Sequence, residues 1–168
     1  MYSIPIIFNI AWGNPSNHDY LNTRLGGITL SIIISNIFFA GLAEELGWRG
    51  YALPKMNQYL RPIVSGIVIG VVWAFWHMLF YVFVSRPWST FLQFIFTVTV
   101  ISCRYTWIYL KTASIPLMII FHVMHNLSNS IFINYHHPIW GGIVYFVLFI
   151  VIMLFDSRTL LKNHQFNP

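Results

Sequence analysis

Residues 27–51 have the sequence GITLSIIISNIFFAGLAEELGWRGY, an apolar run that ends in two adjacent acids, Glu44 and Glu45, followed by Arg49. A helix needs about 20 predominantly apolar residues to cross the hydrocarbon core of a bilayer. No residue of this run is charged before the first acid, and no proline interrupts it until Pro54. The stretch therefore predicts a membrane-spanning helix that carries its charged residues toward one end.

The composition of the whole chain points to the same environment. Of the 168 residues, 57% are hydrophobic and only 8% are charged, against roughly 25% charged in soluble domains. The net charge of +5 comes from basic residues that cluster at the ends of apolar runs. This pattern is typical of membrane anchoring rather than nucleic-acid binding, so we expect membrane lipid and no nucleic acid as a partner. The single cysteine, Cys103, excludes an intrachain disulfide and any CxxC motif.

Further apolar runs follow the first one, separated by short connections that carry helix breakers. The five predicted spans are approximately 27–51, 62–84, 90–110, 115–133 and 139–155. The fold class predicted is all-α, a polytopic transmembrane helical bundle of about five spans plus an N-terminal stub. The predicted divisions are a stub and loop over residues 1–24, the transmembrane bundle over 25–157 and a cytoplasmic C-terminal tail over 158–168.

Basic residues are distributed unequally between the two predicted sides of the membrane. One side carries Arg24 and Arg86, and the other carries Arg49, Lys55, Arg61, Lys111, Arg158 and Lys162. The richer side is expected to be cytoplasmic. The sequence therefore predicts a multi-pass integral membrane protein of the cell membrane with a cytoplasmic C-terminus. In the second span, Gly66 and Gly70 form a GxxxG pattern that allows close approach of another helix.

The two adjacent acids are unusual in such a chain. A carboxylate near mid-membrane costs a few kcal/mol, so it usually faces the bundle interior or a water-filled cavity. The alternative is that the first helix ends before the acids and both are solvated at the interface. Glu45 and Arg49 are four residues apart, in the favourable order for a helical ion pair. Glu44 projects about 100° away from Glu45 and is then left to face a cavity.

Polar side chains also interrupt two later spans. A lone histidine such as His77 is more often a hydrogen-bonded helix residue than a catalyst, but the fourth span adds His122 and Asn126. These two are four residues apart and share one helix face. Two histidines, a carboxylate and a carboxamide from three spans are the groups that a general base with polar partners requires. The pattern favours a hydrolytic site.

Three short motifs together resemble one known family. The stretch Glu44–Arg49 looks like the EExxxR motif of the CAAX proteases and bacteriocin-processing enzymes, the CPBP family of intramembrane proteases. Trp73–His77 resembles the family's FxxxH motif, with tryptophan where phenylalanine is usual, and His122–Asn126 resembles its HxxxN motif. The motifs occur in the family's order, each on a separate predicted span. The resemblance implies an intramembrane endopeptidase.

The resemblance also implies a role for each motif residue. Glu44 would be the base that activates water and His77 would assist it. His122 and Asn126 would stabilise the oxyanion. Supporting roles would fall to Glu45 and Arg49. Under this interpretation no cofactor is expected.

Zinc is the alternative to metal-free hydrolysis. Two histidines and one carboxylate plus water match a catalytic zinc site in ligand type. The ligands would then be Glu44, His77 and His122. Neither an HExxH motif nor a cysteine ligand supports this alternative.

The expected substrate is a membrane-anchored protein or peptide. The resemblance implies either CAAX-type processing of prenylated proteins or bacteriocin-type peptide processing. A non-catalytic membrane scaffold, or a bacteriocin-immunity protein with the same fold, is the main alternative. It would have no need for polar groups buried in three spans. A proton or ion carrier is a third possibility, but the extracellular halves of the spans are almost wholly apolar.

Overall fold

The computed structural model describes residues 30–78, 88–132 and 138–162, and these residues are helical apart from short connections. The helices are α1 (Leu30–Met56), α2 (Pro62–Trp76), α3 (Trp88–Thr112), α4 (Ile115–Phe132) and α5 (Pro138–Leu161). The predicted all-α fold is confirmed. The predicted N-terminal stub, residues 79–84 of the predicted second span and the end of the C-terminal tail lie outside the described residues. The predicted domain boundaries stay predictions.

Several of these helices have membrane-spanning character. By length and composition, Leu30–Met56, Trp88–Thr112 and Ile143–Leu161 are each able to cross a bilayer. Two shorter apolar helical stretches, Pro62–Trp76 and Ile115–Ser128, accompany them. Apolar side chains are exposed along these helices, as lipid contact requires. The expectation of a multi-spanning membrane protein is therefore confirmed.

Helix α2 ends within the predicted second span. Its last residue is Trp76, and the backbone N–H of His77 donates to the carbonyl oxygen of Ala74 at 3.1 Å. This bond spans three residues rather than four and tightens the end of the helix. His77 therefore lies at the C-terminus of α2.

Helix α1 is not a regular α-helix. It is α-helical at both ends and over Ala43–Glu45, and π-helical over Asn36–Leu42 and Leu46–Ala52. The π-helical turns pair residues five apart and occur frequently at functional sites. The two adjacent acids thus lie in a single α-helical turn between two π-helical segments. The 3.6-residue period does not apply across those segments.

The chain divides into two compact units. The first unit contains residues 1–45 and 116–137, and the second contains residues 46–115 and 138–168. In the described residues, the first unit therefore consists of the N-terminal part of α1 and nearly all of α4. The second unit consists of the C-terminal part of α1 together with α2, α3 and α5.

In the first unit, α1 and α4 approach closely at Gly41. A Cβ atom added there would lie 2.8 Å from Cγ2 of Ile119 and 3.0 Å from Cγ2 of Val123. Both distances are shorter than ordinary van der Waals contact, so a larger residue at this crossing would force the side chains of α4 to shift. The same face of α4 buries Met118 and His122.

In the second unit, α2 packs against α3 through the two glycines of the GxxxG pattern. A Cβ atom on Gly66 would lie 3.2 Å from Cα of Cys103, and one on Gly70 would lie 2.5 Å from Cα of Thr99. Backbone therefore faces backbone, as GxxxG packing in membranes predicts. The close approach also brings the buried Ser102 of α3 next to α2.

Helix α5 is joined to α3 by a polar cluster around Asp156. The carboxylate of Asp156 accepts hydrogen bonds from the Trp107 indole at 3.1 Å and from the Thr159 hydroxyl at 2.9 Å, and it forms an ion pair with Lys111. The backbone of Asp156 is non-helical, at φ −148° and ψ 52°, which kinks α5 at this point. At this kink the Asp156 carboxylate accepts hydrogen bonds from donors of both α3 and α5.

The glycine crossing leads to a stability prediction. Gly70→Ala should destabilise the protein by about 1–3 kcal/mol, because the added methyl group collides with backbone that has to move. Gly47→Ala is the matched control, since a Cβ there meets nothing within 4 Å. The control should be neutral or stabilising by up to about 1 kcal/mol, because alanine favours a helix more than glycine does. Thermal unfolding in detergent, followed by circular dichroism, measures both. Equal midpoints for the two variants would contradict the proposed crossing.

Candidate active site

Among the described residues of the first unit, Glu45 and His122 form the most deeply buried polar pair. Glu45 is completely buried and His122 is 3% exposed. Nδ1 of His122 lies 2.7 Å from Oε1 of Glu45. An ionised carboxylate only accepts hydrogen bonds, so Nδ1 carries the proton and donates. The hydrogen bond fixes the orientation of the imidazole ring, because its Nδ1 edge faces Glu45.

The neighbouring acid has a different environment. Glu44 is half-buried, and its Oε2 atom is buried without a hydrogen-bond donor among the described residues. Adjacent residues of a helix point in different directions, which separates the two carboxylates. Both acids therefore have a buried Oε2 atom, and Glu45 is in addition hydrogen-bonded to a histidine through Oε1.

Asn126 lies one turn after His122 on α4 and is half-buried. A carboxamide provides two N–H donors, which a developing oxyanion requires. Residues four apart share a face of an α-helix, as the sequence predicted for these two. The first unit therefore contains two acids, a histidine and a carboxamide on two helices.

His77 belongs to the second unit. Its Nδ1 atom lies 2.9 Å from the carbonyl oxygen of Trp73. Because a carbonyl oxygen only accepts, Nδ1 donates, and in the neutral ring Nε2 is then the proton acceptor. The imidazole also contacts the rings of Trp73 and Phe94, with centroids 6.3 and 5.6 Å apart.

Arg49 also belongs to the second unit and is completely buried. Its guanidinium carbon lies 5.2 Å from the ring centroid of Trp73 and 5.0 Å from that of Tyr105. Nη2 donates to the hydroxyl of Ser102 at 3.4 Å. Two aromatic faces and a hydroxyl therefore help to compensate for the lost hydration of this cation.

The structure thus brings together some of the predicted residues. Glu45 and His122 form a hydrogen bond that the sequence analysis did not predict. The predicted Glu45–Arg49 ion pair stays a prediction, and so does the convergence of His77 with Glu44 and His122. Sequence analysis also missed Ser102 and Tyr105 as partners of Arg49. The sequence shows that polar side chains occur within the third apolar span, but it does not indicate which residue they contact.

Comparison with known protein families gives a match to the segment that contains these residues. The model of the family described as "Type II CAAX prenyl endopeptidase Rce1-like" matches residues 26–128. That segment includes all three motifs. The chain belongs to this family. Members of the Rce1-like family are integral membrane peptidases, and a peptidase acts on a protein or peptide substrate. Helix α5 lies beyond the matched segment.

One curated relative of this Rce1-like chain is a "CAAX prenyl protease 2" from Methanococcus maripaludis. The two are 31% identical over 152 residues, which cover 82% of this chain and 56% of the relative. The chain therefore spans little more than half the length of that relative. No solved structure matches the chain.

The Glu45–His122 hydrogen bond leads to a second stability prediction. Glu45→Ala leaves the Nδ1–H group of His122 buried without its acceptor, which should cost about 1–3 kcal/mol. Glu45→Gln keeps an oxygen acceptor and should retain most of the stability. Glu44→Ala is the matched control, because its buried oxygen has no donor to lose among the described residues. Thermal unfolding in detergent should rank Glu45→Ala clearly below the other two variants. An unchanged midpoint for Glu45→Ala would contradict this account.

Proposed function

We propose that this Rce1-like protein is an intramembrane endopeptidase that hydrolyses a peptide bond with water activated by Glu44. The observation that carries the proposal is the buried hydrogen bond between Glu45 and His122, next to the buried Oε2 of Glu44. Burying a carboxylate and an imidazole within apolar helices is costly. A membrane scaffold would gain nothing from that cost, whereas a hydrolytic site requires a base and oriented donors.

In the proposed reaction, Glu44 accepts a proton from water as the water oxygen attacks the carbonyl carbon of the scissile bond. The half-buried position of Glu44 supports this role, because its Oε2 atom is buried without a hydrogen-bond donor among the described residues and is able to accept a proton. After the tetrahedral intermediate has formed, the C–N bond breaks. The proton held by Glu44 passes to the leaving amine, which returns the carboxylate to its starting state.

His122 and Asn126 are proposed to stabilise the oxyanion of that intermediate. Donors that are already oriented lower the barrier most, because they do not have to reorganise during the reaction. The hydrogen bond from Nδ1 of His122 to Glu45 supplies such orientation. The donor to the oxyanion would then be Nε2–H of the doubly protonated ring, whose charge the Glu45 carboxylate balances. Glu45 therefore acts as a positioning residue for His122. The side-chain N–H groups of Asn126 would supply the second donor.

His77 is proposed to assist Glu44, as its motif implies. Its Nδ1 is held by the Trp73 carbonyl, which favours the tautomer whose Nε2 accepts a proton. Both histidines are therefore held at Nδ1 by an oxygen acceptor. Histidines that ligate a metal are commonly oriented in this way, so zinc remains the alternative by residue type. Among the described residues, however, no three His, Cys, Asp or Glu side chains are grouped as metal ligands.

If zinc is bound, Glu44, His77 and His122 would hold it, and the metal would supply Lewis-acid activation of water. We propose the metal-free reaction first, because the chain has neither an HExxH motif nor a cysteine ligand near these residues. Oriented donors and a basic carboxylate are sufficient for each step described above.

The proposed substrate is a membrane-anchored protein or peptide with a prenylated CAAX end. The name of the Methanococcus maripaludis relative supports this substrate class, and a bacteriocin-type peptide is the alternative. The reaction would take place at the cytoplasmic side of the cell membrane. More Lys and Arg residues are predicted on the side of the membrane that carries the C-terminus, and this excess supports a cytoplasmic location for that side.

Loss of the proposed base should abolish cleavage. Glu44→Ala should lower kcat by about 10²–10⁴-fold, the contribution typical of a general base. The assay is cleavage of a prenylated, CAAX-terminated peptide by purified protein in liposomes, with thermal unfolding to verify that the variant is folded. Gly47→Ala, three residues further along the helix, is the control and should cleave at the wild-type rate. A Glu44→Ala variant near wild-type activity would refute the assignment, and an inactive wild type would favour the scaffold.

A separate experiment distinguishes the metal-free reaction from zinc hydrolysis. Purified protein should contain no stoichiometric zinc by elemental analysis, and its activity should survive a chelator. Asn126→Ala should lower kcat by about 10²–10³-fold, because the oxyanion loses a direct donor. One equivalent of zinc, together with activity that a chelator removes and added zinc restores, would overturn the metal-free proposal.

A further inference from the structure

Helix α3 carries none of the three motifs, yet it contacts motif residues in the second unit. The contacts involve Arg49 of the first motif, and Trp73 and His77 of the second. On α3 they are made by Phe94, Ser102 and Tyr105. Helix α3, which has no motif residues, therefore contacts residues of the first and second motifs.

The contact with His77 is made by an aromatic ring. Phe94 meets the imidazole edge to face, with centroids 5.6 Å apart at an angle of 66°. The Trp73 carbonyl oxygen holds Nδ1 of the same imidazole at 2.9 Å. A hydrogen bond to one atom still allows the ring to rotate about that bond. The packed ring of Phe94 restricts this rotation, so the two contacts together determine the direction of Nε2.

The contact with Arg49 involves two residues of α3. The guanidinium carbon lies 5.2 and 5.0 Å from the ring centroids of Trp73 and Tyr105, and Nη2 donates to the hydroxyl of Ser102. The planar guanidinium can contact aromatic rings and donate hydrogen bonds at the same time, which a lysine ammonium does less well. Trp73 thus contacts Arg49 through its ring and His77 through its carbonyl oxygen. Tyr105 also contacts the Trp73 ring, with centroids 6.4 Å apart.

The three α3 residues share one face of the helix. At about 100° per residue, Ser102 and Tyr105 lie about 80° and 20° around the axis from Phe94. Phe96 lies about 180° away from Tyr105 around the helix and pairs with Phe146 of α5, with centroids 5.7 Å apart. The contacts with the motif residues are therefore confined to one side of α3, and a comparable aromatic pair lies on the other side.

We propose that Phe94, Ser102 and Tyr105 form a positioning surface for the active site. Phe94 orients the His77 imidazole, while Ser102 and Tyr105 hold Arg49 and Trp73 in the arrangement that supports it. The inference rests on the proposed function, since it gives His77 a part in the reaction. None of the three residues needs to touch the substrate. Displacement of a reacting group by about 1 Å can lower the rate by about a hundredfold, so such residues affect turnover.

The first test compares Phe94→Leu with Phe96→Leu. Phe94→Leu loses the ring contacts with His77 and Phe91, whereas Phe96→Leu loses the contact with Phe146 of α5 and none with His77. Phe94→Leu should lower kcat at least about tenfold, with KM within twofold of the wild type, because ground-state binding is unchanged. Phe96→Leu should keep the wild-type kcat and show a comparable change in thermal midpoint. Equal kcat values for the two variants would overturn the proposal.

The second test concerns Tyr105. Tyr105→Phe keeps the aromatic face beneath Arg49 and should retain kcat, whereas Tyr105→Leu removes it and should lower kcat by a similar factor. Rescue by phenylalanine separates positioning from a catalytic role of the hydroxyl group. If Tyr105→Phe is as impaired as Tyr105→Leu, the positioning role of this ring is wrong.

A third measurement does not depend on activity. In protein with ¹³C,¹⁵N-labelled histidine, the signals of the His77 ring can be assigned by their absence in His77→Gln. Phe94→Leu should shift these signals, because the ring current of Phe94 is lost, and Phe96→Leu should leave them in place. If the wild type cleaves no peptide, the proposed function fails, but this shift still supports the positioning of His77. Unshifted signals in Phe94→Leu would overturn the inference even in an active enzyme.

Discussion

A cation buried among apolar helices loses its hydration, at a cost of several kcal/mol unless neighbouring groups replace the water. The completely buried Arg49 places that constraint on the second unit. The stacking rings of Trp73 and Tyr105 and the hydroxyl of Ser102 come from two other helices. The buried Arg49 of α1 thus requires α2 and α3 to place aromatic rings and a hydroxyl group next to its guanidinium.

The glycine crossing of α2 and α3 has a direct bearing on that arrangement. Backbone approach at Gly66 and Gly70 lets these helices come closer than ordinary side chains would allow. Trp73 lies one turn after the second glycine, so the close crossing determines how near its ring comes to Tyr105. Small residues therefore set the spacing of the helices, and large aromatic residues use that spacing to surround the guanidinium.

In the first unit the buried ionisable group is a carboxylate rather than a guanidinium, and it also needs a neighbour that replaces the lost water. A buried carboxylate needs a donor, and His122 supplies one to Glu45 at 2.7 Å. The adjacent Glu44 keeps an oxygen that is buried without a donor among the described residues. The two acids differ in the hydrogen bond that Oε1 of Glu45 forms with His122. That hydrogen bond is the basis for the proposal that Glu45 positions His122 while Glu44 reacts.

The sequence by itself determined the helical class, the approximate bounds of the helices and the residue types of the motifs. Apolar length and residue identity are local properties, and a charge in an apolar run stands out without any knowledge of its neighbours. Only the tertiary structure decided that Glu45 meets His122, 77 residues away, and that Arg49 meets Ser102, 53 residues away. The π-helical turns on both sides of the acids shift the faces of α1, and no local pattern predicts that shift. Partners distant in the sequence depend on how the helices pack, and the periodicity of a single helix does not contain that information.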